Sequence, residues 1–185
     1  MLLLGEVLTS LELKIKFDTE VSLAPSKKSC GSCKRCQVHC PTGALDEAYK
    51  IDARKCLSYW TIEHRGPIPL KYWTHLKKHI FGCDICQLVC PFNRGQSPTS
   101  MKTAYQNSYD LFEIATMSQV SYERIFGGSP MTRAKRGGLM RNALIAMYES
   151  NDQRLGEAIA LLDNDSTKCK TSVIPTLVQL KNLMS

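Results

Sequence analysis

Long apolar runs are missing from this chain of 185 residues. No stretch approaches the roughly 20 consecutive apolar residues that a membrane-spanning helix needs, so no membrane span is expected. The amino end, MLLLGEVLTSLELKIKF, lacks a basic n-region and is interrupted at Glu6, which argues against an export signal and makes the cytoplasm the expected compartment. Strand-like alternation is scarce too. It occurs once, at Leu11, Leu13, Ile15 and Phe17, ahead of Pro25 and a polar stretch, and one strand cannot form a sheet by itself. No nucleophile-base pair, phosphate-binding glycine loop or paired carboxylate is evident, so a self-contained hydrolytic or phosphoryl-transfer site is not expected. An apolar content of 43% excludes wholesale disorder.

Cysteine is what the chain has in excess. There are nine, and all but Cys169 lie between Cys30 and Cys90. In a reducing compartment such density points to metal rather than to disulfides, and an odd count agrees. The first run, Cys30-Gly-Ser-Cys33-Lys-Arg-Cys36-Gln-Val-His-Cys40-Pro41, has the spacing C-x2-C-x2-C-x3-C-P. Three thiolates so spaced can wrap three corners of an iron-sulfur cube, while the fourth is carried on to another cube. The complement is Cys83-Asp-Ile-Cys86-Gln-Leu-Val-Cys90-Pro91, which lacks a first cysteine that Cys56 can supply. The ligands then divide into two [4Fe-4S] clusters, the first on Cys30, Cys33, Cys36 and Cys90, the second on Cys40, Cys56, Cys83 and Cys86. The rival is a pair of four-thiolate zinc sites, but zinc knuckles come as separate C-x2-C pairs, whereas here three cysteines follow at consecutive three-residue steps. Cys169 reads as a small, partly buried side chain.

His39, His64, His75 and His79 read as surface or packing residues, because the thiolates already saturate both clusters. Tyr59, Trp60, Tyr72 and Trp73 lie between Cys56 and Cys83, where large rings could shield a cluster from water or simply fill a core. A net charge of +7 is concentrated centrally: residues 30–95 carry ten basic and five acidic side chains. A second basic stretch, YERIFGGSPMTRAKRGGLMRN from Tyr122 to Asn142, contains Arg133, Lys135, Arg136 and Arg141. The glycine pairs within it place these groups on loops and at a helix start, suited to solvent or to phosphate.

Periodicity predicts a short helix over residues 70–80 and longer ones over 139–149, 153–162 and 172–184, with an irregular stretch over 94–107. The expected fold class is mainly α. Residues 26–95 are expected to form an α-helical, ferredoxin-like two-cluster domain, and residues 96–185 a stack of helical hairpins.

Five segments together resemble the carboxy-terminal half of the epoxyqueuosine reductases of queuosine tRNA modification: LLLGEVLTSLEL, CGSCKRCQVHCPTGAL, IDARKCLSYWTIEHRGPIP, FGCDICQLVCPFNR and FGGSPMTRAKRGGLMRNALIA. The resemblance implies that electrons pass through two [4Fe-4S] clusters to cobalamin, which reduces the epoxide of epoxyqueuosine in the anticodon region of tRNA. It implies a HEAT-like repeat over residues 96–185, with Arg133, Lys135, Arg136 and Arg141 as nucleic-acid contacts. Residues 1–25 would be a remnant of the cobalamin-binding domain, most of which, with its general acid, has no counterpart here, so the chain alone is expected to be inactive. Partners implied are tRNA and a cobalamin domain or an electron donor protein, with the chain a monomer and no membrane involved. The alternative from another class is a non-catalytic two-cluster electron carrier.

Overall fold

A computed structural model describes residues 8–11, 30–93, 109–164 and 172–185. Among them there are helices and turns but no strand, so the protein is mainly α. Of the expected strand only Leu11 falls among these residues, in an exposed bend; the rest of it, residues 94–107 and Cys169 lie outside them.

The cysteine-rich part uses short elements: α1 (Arg35–His39), a π-turn at Tyr59–Glu63, a 3-10 turn at Leu70–Tyr72 running into α2 (Trp73–Leu76), α3 (Ile85–Leu88) and a 3-10 turn at Pro91–Asn93. The helix expected over 70–80 is thus split between two kinds of turn. It follows Pro69, which cannot itself donate into a helical ladder.

The remainder is built from α4 (Leu111–Thr116), α5 (Gln119–Phe126), a 3-10 turn at Pro130–Ala134, α6 (Lys135–Glu149), α7 (Leu155–Asp163) and α8 (Val173–Met184). Their starts are set by side chains. The Asp110 carboxylate accepts from the amides of Phe112 and Glu113 to cap α4, and the Ser118 hydroxyl accepts from Ser121 to cap α5. Pro130 opens the 3-10 turn and Pro175 sits in the first turn of α8, where a missing N–H costs nothing.

Helix α6 starts four residues earlier than its periodicity suggests, because Gly137 and Gly138 stay helical instead of breaking the chain. Every residue from Arg136 to Met147 is buried. A helix buried all round must be central, and α6 is: α2, α4, α7, α8 and the two turns at Tyr59–Glu63 and Pro130–Ala134 all pack on it. The core joins Leu139, Leu144 and Met147 of α6 to Ile114, Phe126, Ile159 and Leu177, and equally to Leu57, Ile68, Trp73 and Leu76. It is continuous across residue 95, where the sequence suggests a boundary between two domains. The cysteine-bearing loops are therefore anchored in the same core as the helices.

Candidate metal centres

The first group of thiols is organised by one tight turn. Gly31 takes φ +51, the left-handed region that glycine enters freely, and the Cys33 amide donates to the Cys30 carbonyl at 2.9 Å. The turn feeds α1, which carries Cys36. Cys30, Cys33 and Cys36 line a pocket with Leu45, Ala48, Tyr49 and Ile51, and Cys30 and Cys33 are exposed at its mouth. Cys90 is not among the residues lining this pocket. It follows α3, whose packing against α1 brings the two cysteine runs side by side.

The second group converges from three loops. Cys40, Cys56, Cys83 and Cys86 line one pocket with Pro41, Thr42, Ala44, Leu45, Ile51, Leu57 and Ile85. Burial alone would raise the Cys40 thiol. Hydrogen bonds from the Thr42 backbone and hydroxyl and from the Ala44 and Leu45 amides outweigh it and hold the group below the usual thiol value. The Ala44 amide reaches the sulfur at 3.3 Å. Burial pushes Cys83 and Cys86 up, and the neighbouring thiolates add to it: Cys56 and Cys40 act on Cys83, and Cys83 and Cys56 on Cys86. Two half-buried thiols raised by burial and by their neighbours, Cys83 and Cys86, are the kind of ligand that a cationic core such as that of a [4Fe-4S] unit would relieve. Among the described residues no three His, Cys, Asp or Glu side chains stand close enough to grip a single metal ion.

The turn bearing Cys56 is held by aromatic side chains. The Arg54 carbonyl accepts from Trp60 Nε1 at 2.8 Å and from the Tyr72 hydroxyl at 3.2 Å. Trp73 is buried, edge-on to Tyr148 at 5.7 Å, with its indole N–H on the Ile68 carbonyl. None of Tyr59, Trp60, Tyr72 or Trp73 lines either thiol pocket; the rings act through packing and through the loop. No histidine lines either pocket. His39 donates to the Arg35 carbonyl and His64 to that of Pro67.

The four basic residues do not form one surface. Arg133 is exposed and paired with Glu63 at 2.5 Å, and Lys135 is exposed at the head of α6. Arg136 and Arg141 are buried, which corrects their expected role as nucleic-acid contacts. Arg136 donates to the Met117 carbonyl, bracing the α4–α5 junction. Arg141 donates to the carbonyls of Trp60, His64 and Gly66. The physical reason is the helical run through Gly137-Gly138, which carries both side chains into the core instead of onto a loop. Thr61, Gly82 and Asn142 escaped notice in the sequence. The signal for the last was a polar Arg141-Asn142 pair inside the otherwise apolar run LMRNALIAM.

Comparison with known proteins agrees with the thiol geometry. Residues 29–93 match the 4Fe-4S double cluster binding domain. An epoxyqueuosine reductase of Gloeobacter violaceus is 39% identical over 158 residues, covering 80% of this chain and 47% of that protein. Over about four fifths of its length the chain is similar to epoxyqueuosine reductases. A second epoxyqueuosine reductase, from Escherichia coli, is 34% identical over 148 residues, 78% of this chain and 37% of its own length. The epoxyqueuosine reductase structure from Bacillus subtilis superimposes with a TM-score of 0.72 at 25% identity, over 83% of this chain and 41% of that one. Another, solved with an epoxyqueuosine-modified tRNA stem loop, gives 0.70 at 26% identity, over 83% and 40%. The chain thus spans less than half the length of these epoxyqueuosine reductases. Among its described residues no helix is long and apolar enough to cross a membrane.

Proposed function

We propose that this chain is the iron-sulfur part of an epoxyqueuosine reductase, acting as a monomer in the cytoplasm and delivering electrons to cobalamin for reduction of epoxyqueuosine to queuosine in tRNA. The observation that carries the reading is the convergence of Cys40, Cys56, Cys83 and Cys86, from three separate loops, on one pocket beside the Cys30–Cys36 turn. Opening the epoxide to the alkene consumes two electrons and two protons and releases water, so an electron supply is indispensable. Two adjacent [4Fe-4S] clusters would supply those electrons one at a time.

The residues of the chain fit the group. Seven of the eight clustered thiols line the two pockets, and Cys90 follows α3, which packs on α1; Leu45 and Ile51 line both pockets, and Ala44, Leu57 and Ile85 add to the apolar wall of the second. Such walls limit water and thereby influence potential. Exposed Cys30 and Cys33 make the first site the natural place for exchange with a partner, whether a cobalamin domain or an electron donor protein. On the helical side, the HEAT-like reading of residues 96–185 belongs to the same proposal, and tRNA contact narrows to Arg133 and Lys135. The tRNA stem loop seen with a related structure supports that direction.

Reduced, reconstituted protein mixed anaerobically with cobalamin and epoxyqueuosine tRNA tests the proposal. The chain assayed alone is expected to bind tRNA, with the double charge reversal Arg133→Glu and Lys135→Glu weakening it at least tenfold at low salt, as loss of phosphate contacts does. It is expected not to turn over, and to do so once a cobalamin-binding domain of the family is added. A chain that reduces unrelated acceptors but neither binds tRNA nor responds to that domain would be a general electron carrier and would refute the assignment.

A further inference from the structure

Helix α6 turns two polar side chains onto the segments that follow Cys56 and precede Cys83, and their contacts form one connected network. The Asn142 carboxamide donates to the carbonyls of Thr61 and Ile80, each at 2.8 Å, and accepts from Arg141 Nε at 3.0 Å. The Thr61 hydroxyl is fully buried. It donates to the Leu57 carbonyl at 2.8 Å and accepts from the Gly82 amide at 3.0 Å. Leu57 directly follows Cys56 and Gly82 directly precedes Cys83, so one hydroxyl ties together the turns that present these two thiols. Gly82 takes φ +77, which lets the chain swing into Cys83.

Arg141 completes the network with a charge. Its guanidinium is fully buried, with Nη1 on the carbonyls of His64 and Gly66 at 2.8 and 2.6 Å and Nη2 on that of Trp60 at 2.8 Å. Among the described residues it has no carboxylate partner. Burial, with Arg65 beside it, lowers its pKa to about 10, so it remains a cation at neutral pH. A buried cation that meets only dipoles is costly unless an anion lies near. Four thiolates around a [4Fe-4S] core carry a net charge of about −2, and the turns that present two of them, Cys56 and Cys83, are the ones that Thr61 ties together.

We propose that Thr61, Asn142 and Arg141 are positioning residues for the cluster bound by Cys40, Cys56, Cys83 and Cys86. The hydroxyl and carboxamide set the spacing of Cys56 and Cys83, and the buried guanidinium is the cluster's counter-charge. This rests on the reading that these thiols hold a [4Fe-4S] cluster. Reduction adds a negative charge, so a fixed cation favours the reduced state and raises the potential of that cluster. Cys30, Cys33, Cys36 and Cys90 make none of these contacts, and their cluster serves as an internal control.

The experiment uses the full chain, anaerobically reconstituted, with iron per chain measured first and both clusters then followed by EPR-monitored redox titration. Arg141→Gln is expected to shift one of the two midpoint potentials negative, by about tenfold in the reduction equilibrium constant or about 59 mV for a one-electron couple, and to leave the other in place. Arg141→Lys, which keeps the charge, is expected to stay near the parent value. Thr61→Val is expected to speed loss of half the iron to a chelator about tenfold, in line with an orphaned buried donor, whereas Thr61→Ser is not. If Arg141→Gln yields no folded protein, the Thr61 pair decides alone. Unchanged or equally shifted potentials in a folded Arg141→Gln, or parent-like iron release from Thr61→Val, would overturn the network. A parent protein that holds zinc in place of iron would instead overturn the cluster reading beneath it.

Discussion

Gly127 and Lys135 stand at opposite ends of the link between α5 and α6, and each holds a backbone position for a different reason. A Cβ on Gly127 would lie 2.3 Å from the Glu123 carbonyl oxygen, which is backbone and cannot swing away. Gly127→Ala is therefore expected to lower stability by about 1–3 kcal/mol, the usual cost of forced overpacking, as measured by urea denaturation. Lys135 has φ 62 and ψ 159, a region populated almost only by glycine. Lys135→Gly is expected to stabilise the fold by about 1 kcal/mol, relief of strain outweighing the entropy of glycine, while weakening tRNA binding by one charge. A variant that lost stability would show that the Lys135 side chain contributes more than its backbone costs. Nothing in the composition of KRGG announces that the lysine and not a glycine takes the positive φ.

At the scale of elements, the start of α4 couples a cap to an ion pair. The Arg154 guanidinium, first, and then the amides of Glu113 and Phe112 hold the Asp110 carboxyl below its ordinary value of about 3.8, outweighing the opposing effect of burial. Since the folded value lies below the unfolded one, this contribution is complete above about pH 4 and is lost as pH falls below that. Asp110→Asn keeps a capping oxygen but discards the charge. The pair is well exposed, so the loss near neutrality should not exceed about 1 kcal/mol. The variant should also lack the parent's added acid sensitivity below about pH 4 in a thermal melt. Elements differ in how readable they are. Helices α7 and α8 follow from one-sided apolar spacing, and the later part of α6 from the recurrence of Leu139, Ala143 and Met147. The early start of α6 does not, since Gly137-Gly138 reads as a break until the helices packed around it make a helical path the only compact one. The π-turn at Tyr59–Glu63 is equally invisible, because it exists to place Thr61 and Trp60 against α6 and carries no local pattern of its own.

For the whole molecule, the most legible feature is the most local one. The C-x2-C-x2-C-x3-C-P run brings Cys30, Cys33 and Cys36 to one pocket through a turn of a few residues, and Cys56, expected by counting as the missing fourth ligand, lines the other pocket with Cys40, Cys83 and Cys86. The basic stretch was legible only as composition. Whether an arginine meets solvent or a buried carbonyl depends on which way α6 faces, and that is fixed by the packing of helices far apart in sequence. Two of the four, Arg133 and Lys135, are exposed, while Arg136 braces the α4–α5 junction and Arg141 holds the Trp60–Gly66 loop to α6. The charge of +7 belongs to the chain without clusters; with two four-thiolate cubes it falls to about +3. The most direct measurement is iron, acid-labile sulfide and zinc on protein purified without oxygen, with the visible and EPR spectra of the same sample. About eight irons and eight sulfides per chain, in a brown protein that gives reduced [4Fe-4S] signals, is the predicted result. A colourless protein with about two zincs and no sulfide would contradict it.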